Sequence, residues 1–132
     1  MYKQFVVSMI LILFVITCNN LNTETNIYGN WEGSYNAHKV SFAFKNDKTC
    51  IYKYFDKQLG KFEIINGDYK VEFSKNPISL SIRNIPQLNH SLHTIVEFID
   101  EDSIRIAGFS PKWKLRPIAF EISKTINLKR IQ

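Results

Sequence analysis

His90 and His93 stand at a spacing that suits two metal ligands. A zinc site needs a fuller set, and no Cys, His or acidic residue stands at a matching distance, so the pair reads as polar surface residues at a loop-to-strand junction. Asp100-Glu101-Asp102 has the acids of a calcium loop without the glycine and distal glutamate of an EF-hand, and reads as a solvated turn. No serine lies in a nucleophile elbow and no glycine-rich phosphate cradle is present. The residues therefore point away from an enzyme, and no metal or cofactor is expected. Cys18 and Cys50 are the only cysteines. Cys50 reads as a small buried hydrophobe.

The segment from Ser110 to Pro117 places Trp113 and Leu115 among Lys112, Lys114 and Arg116. One reading is an edge strand with its aromatic inward and its cations outward. The other is an exposed Trp among cations that touches anionic head groups or a partner. The formal net charge of +5 would allow nucleic acid as a partner, but the lysines recur at alternate strand positions instead of forming a run. Solvated outer strand faces are the expectation, with no nucleic acid bound.

What must position these groups is a set of strands. With 10 Phe and 6 Tyr the composition favours pleated surfaces, and 132 residues fit one domain. About ten short segments alternate in polarity beyond Tyr28. Residues 38–45 put Val40, Phe42 and Phe44 on one face. In 50–55, Cys50, Tyr52 and Tyr54 alternate with Ile51, Lys53 and Phe55, and either set can face inward. Residues 61–65 and 68–73 flank Asn66-Gly67, a dipeptide suited to a type I′ hairpin turn, with Tyr69, Val71 and Phe73 inward. Segment 78–83 repeats the alternation, 84–91 is a loop, and 92–98 and 103–109 form a hairpin across the acidic turn. Segments 118–122 and 126–131 complete the series. The expected fold is all-β: an antiparallel up-and-down barrel or sandwich without crossover helices.

Ahead of these segments, Lys3 and the apolar run 5–16 read as an export signal, too short to span a bilayer comfortably. Val15-Ile16-Thr17-Cys18 resembles a bacterial lipoprotein processing site. The resemblance implies cleavage after residue 17, acylation of Cys18 with palmitate-type chains, and a lipid-anchored protein of the bacterial cell envelope. An ordinary signal peptide or uncleaved anchor is the alternative. Residues 18–26 read as a flexible tether and 27–132 as the folded domain.

Gly29-x-Trp31 leading into a strand, followed by a meander of hairpins and a late basic residue, resembles the lipocalin-like superfamily of small antiparallel barrels. The resemblance implies a barrel of about eight to ten strands, closed at one end by Trp31 with Arg130 lying across it. It is nearest to the short lipocalin-like domains of bacterial lipoproteins, since the Thr-Asp-containing second motif of larger lipocalins is absent. Cavity-lining candidates are Phe42, Phe44, Tyr52, Tyr54, Tyr69, Val71, Phe73, Ile106 and Phe120. The function expected is non-catalytic binding of a small apolar or amphipathic ligand by a membrane-anchored monomer. The alternative is an envelope interaction or inhibitor module with a solid barrel, using residues 84–91 and 110–117.

Overall fold

The computed structural model describes residues 26–131. The expected leader, the lipidation site Cys18 and the tether up to residue 25 lie outside them. Eight strands form a closed antiparallel barrel in sequence order: β1 (Gly29–Tyr35), β2 (His38–Phe44), β3 (Thr49–Asp56), β4 (Lys61–Glu72), β5 (Ser79–Arg83), β6 (Leu92–Asp100), β7 (Ser103–Ile106) and β8 (Ile126–Ile131). Pairing of β1 with β8, including Trp31 opposite Arg130, closes the cylinder. Closure leaves no free sheet edge. All connections are up-and-down, so the β2–β3, β4–β5 and β6–β7 turns share one end with the start of β1, and the other four connections share the opposite end. We term these the Trp31 end and the crossover end.

The two-residue period selects the inner face. Val40, Phe42 and Phe44 are buried from β2, and Cys50 and Tyr52 from β3, which decides the ambiguous strand in favour of the Cys50 set. Phe42 stacks on Tyr52 at 4.3 Å and on Phe44 at 5.4 Å between ring centroids. Each large apolar side chain so buried contributes about 1.5–3 kcal/mol. The Cys50 thiol is 1% exposed, and burial pushes its pKa up to about 12.

Several expectations are corrected. Asn66-Gly67 is not a turn: it lies inside β4, which runs unbroken for 12 residues. Gly67 pairs with Cys50 on one side, and a Cβ there would lie 2.6 Å from the Arg83 carbonyl oxygen on the other. The glycine serves close approach between strands, not reversal of the chain. The β3–β4 reversal falls at 57–60, where the Asp56 carboxylate accepts the Gln58 and Leu59 N–H groups and Gly60 supplies a φ of +66°. A two-residue hairpin with both residues at positive φ is instead formed by Asn36-Ala37, between the Tyr35–His38 pair.

Segment 103–109 is a strand only to Ile106. Pairing resumes at a single His93–Ser110 bridge, so the chain bulges between, and the Thr94 hydroxyl donates to the carbonyls of Ala107 (2.8 Å) and Gly108 (3.1 Å). Residues 118–122 are not a strand. The connection 107–125 carries two single-turn 3₁₀ helices, Trp113–Leu115 and Ile122–Lys124, and Ile118 and Ile122 are 78% and 99% exposed. The edge-strand reading of Trp113 fails with it.

Burial on β5 and β6 extends to both faces. Leu80, Ile82, Leu92 and Val96 belong to the core cluster, so Ser79, Ser81, His93 and Ile95 face outward by alternation, yet all four are buried. The crossover covers part of this outer side of the barrel: Trp113 meets the His93 ring edge-on at 5.7 Å, and on the neighbouring β7 Phe120 lies under the Arg105 guanidinium at 4.2 Å. His93 is therefore no surface residue. Its Nδ1 hydrogen-bonds the Ser81 hydroxyl at 2.9 Å, and burial, reinforced by Arg83 and Arg116, lowers its pKa. His90 is exposed.

Candidate functional site

The Trp31 end is built around one side chain. Trp31 has no exposed surface; its indole N–H donates to the Ile27 carbonyl at 2.8 Å, and the Arg130 guanidinium lies 4.3 Å over the ring. Arg130 also donates to the carbonyls of Glu101 (3.0 Å), Asn26 (3.4 Å) and Tyr28. One guanidinium thus ties the chain entering the barrel to the β6–β7 turn. Gly29 makes room for it: at φ +122°, a Cβ would stand 2.7 Å from Arg130 Nη1. The glycine and the tryptophan two residues on are linked physically, through the cation packed against both.

Beside this closure lies a cavity of about 450 Å³, walled by Ile27, Tyr28, Tyr69, Val71 and Phe73, with Lys48 and Lys70 at its border. A volume of roughly 300–1,000 Å³ is the range of small-molecule sites. The walls are mostly apolar and carry few polar groups. Lys48 donates from Nζ to the Tyr28 hydroxyl and sits 4.6 Å over that ring. Tyr69 packs edge-on against Phe44 at 5.0 Å and donates its hydroxyl to the Lys45 carbonyl at 2.9 Å. Burial raises the Tyr69 pKa, so the phenol is neutral at physiological pH.

The β2–β3 turn positions Lys48. Its backbone is left-handed at φ +70°, costly for a residue with a Cβ. The Asp47 carboxylate holds the turn, accepting from the Thr49 hydroxyl (2.6 Å) and N–H (3.0 Å). Those bonds lower the Asp47 pKa below the ordinary carboxylate value. The Tyr69 N–H donates to the Lys48 carbonyl at 2.8 Å, fastening turn and β4 together.

The predicted cavity residues divide into four groups. Tyr69 and Val71 wall this cavity; Phe73 stands at its rim, 50% exposed and stacked on Phe98 at 5.6 Å, so it is not the inward core residue expected. Phe42, Phe44 and Ile106 are at most 2% exposed. A side chain with so little accessible surface borders no void that water can enter, so these three are core, not lining. Tyr52 and Tyr54 lie within 4.8 Å of each other, and Phe109 meets Tyr52 at 5.4 Å. Phe120 is on the outside of the barrel, against Arg105, and lines no interior. Sequence reasoning missed Ile27, Tyr28, Lys48 and Phe109. None carries a periodic signal, because Ile27 and Tyr28 precede β1, Lys48 lies in a turn and Phe109 follows a bulge.

Two further cavities open at the crossover end, of about 270 Å³ under residues 115–124 and about 290 Å³ in loop 84–91. Among the described residues, no group of three or more His, Cys, Asp or Glu side chains is placed to hold a metal. Compared with known proteins, the chain matches no family model, no curated protein and no solved structure.

Proposed function

We propose that this domain is a non-catalytic, lipocalin-like binding protein of the bacterial envelope, tethered by lipid on Cys18, that holds a small amphipathic molecule at the Trp31 end. The observation that carries the reading is the 450 Å³ cavity with aromatic and aliphatic walls and an ammonium group, Lys48, at its edge. The walls suit an alkyl or ring body, and Lys48 suits an anionic head such as a carboxylate.

Titration of the full chain with a fluorescent fatty acid, read alongside native mass spectrometry, tests the reading. Val71→Trp fills the cavity and is expected to abolish binding. Lys48→Ala is expected to weaken it about tenfold, equivalent to about 1.4 kcal/mol. Saturable binding unaffected by Val71→Trp overturns the site, and no binding of any amphipath overturns the function. Replacing Cys18 with Ser and following fractionation tests the anchor separately.

A second reading draws on the core. Phe42, Phe44 and Ile106 border no void, which favours a solid barrel that works through its surfaces as an interaction or inhibitor module. Under that reading Val71→Trp leaves function intact.

A further inference from the structure

The crossover end differs from the Trp31 end in charge. Its four connections carry Lys57, Lys112, Lys114, Arg116 and Lys124 against a single acid, Glu121. The three turns at the Trp31 end carry Lys45, Lys48 and Lys75 against Asp47, Glu101 and Asp102, which balance. Glu121 is spent on Lys124 at 3.6 Å. Among the described residues, no acid lies within ion-pair distance of Lys57, Lys112 or Lys114.

The same connections expose aliphatic side chains: Leu59 at 60%, Leu115 at 67%, Ile118 and Ile122. Exposed apolar groups also occur at the Trp31 end, in Phe73 and Ile99, but without a charge excess. Scattered exposed aliphatics are ordinary, whereas aliphatics interleaved with unpaired cations on one end are the composition of a membrane-surface site. The aromatics of the crossover are not available to stack on a base. Arg116 lies 3.9 Å over Trp113, whose edge meets His93, and Phe120 is covered by Arg105. Single-stranded nucleic acid is held largely by such stacking, so the free aliphatics favour lipid over nucleic acid.

We propose that the crossover end, through residues 111–124 and the turn 57–60, docks on an anionic lipid bilayer, with Leu115, Ile118, Ile122 and Leu59 entering the head-group boundary and the lysines meeting lipid phosphates. Long aliphatic stems let the lysines reach phosphates while the neighbouring apolar groups are buried. The inference is independent of the ligand cavity, which lies at the opposite end of the barrel.

The test compares two labels on the full chain. In a Cys18→Ser background, a single fluorophore is attached at Ile122→Cys or at Asn46→Cys in the β2–β3 turn; Cys50 is too buried to react. Both proteins carry the same first 25 residues, so whatever those contribute to vesicle binding is common to the pair. With nitroxide lipids in phosphatidylglycerol–phosphatidylcholine vesicles, quenching at position 122 is expected to exceed that at position 46 by about threefold or more. The difference should vanish in pure phosphatidylcholine and shrink in about 0.5 M salt, where screening is strong. Lys112→Gln with Lys114→Gln should remove the dependence on anionic lipid while circular dichroism stays unchanged. Equal quenching at the two positions, or indifference to lipid charge, overturns the proposal. So does an oligonucleotide that binds this face while label 122 stays outside the bilayer.

Discussion

At the Trp31 end, an indole with no exposed surface, a guanidinium bonded to three backbone carbonyls and a glycine shaped to admit it form one interlocked unit. At the crossover end another tryptophan also carries an arginine, Arg116 over Trp113 at 3.9 Å, but the pair sits half-exposed on a connection of 3₁₀ turns. The same two residue types thus serve different ends. Where a cation–aromatic pair closes a sheet it is shielded and its hydrogen bonds are fixed, so it is worth the upper part of the range of about 0.5–2 kcal/mol. Where it caps a surface segment, water screens it and the segment stays tolerant of change. That contrast separates a structural pole from one with room to engage a surface.

Four measurements break or sharpen this contrast, beginning with the largest effect. Trp31→Ala should cost about 3–5 kcal/mol in denaturant unfolding, since it empties the floor of the core, against about 1 kcal/mol for Trp113→Ala. Equal costs would mean that the two ends are structurally equivalent. Gly29→Ala should cost about 2–3 kcal/mol, because it strains the backbone and displaces Arg130, while Gly60→Ala, with nothing within 4 Å of its added Cβ, pays only about 1 kcal/mol for its left-handed φ.

The third measurement concerns pH. The pKa of His93 is lowered in the fold, so the unfolded chain binds more protons there near its ordinary value of about 6.5. The contribution of neutral His93 is fully present above about pH 7 and is lost as pH falls through about 6.5 toward the folded value. Urea midpoints between pH 7.5 and about 5 should fall more steeply for the wild type than for His93→Gln. An identical pH profile in the variant would show that the crossover does not seal His93. The smallest effect is expected for Leu115, Ile118 and Ile122 changed singly to Ser, each within about 0.5 kcal/mol of wild type. A larger loss would make the crossover part of the core.

Much of the barrel was legible because its signals are local. Alternation in 38–45 and 50–55 marks strands whatever the rest of the chain does, and the acidic residues at 100–102 mark a reversal that the structure contains. Asn66-Gly67 misled for an instructive reason. The dipeptide permits a tight turn, but Gly67 is held extended between Cys50 and the Arg83 backbone, and pairing on both sides outweighs a local preference. The candidate site was legible only in part. Tyr69 and Val71 were readable from their strand, whereas Lys48 reaches the cavity through a turn whose shape depends on Asp47 and Thr49.

The amino-acid order by itself determined an all-β chain of antiparallel hairpins, because a period of two and the chemistry of turns act between near neighbours. Only the tertiary structure decided that Phe42, Phe44 and Ile106 meet in a packed core, that Phe120 lies outside, and that the cavity opens beside Trp31. Those outcomes depend on which distant strand lies alongside, and when a cylinder closes, the register of its last strand against its first decides which inward side chains are buried and which line a gap.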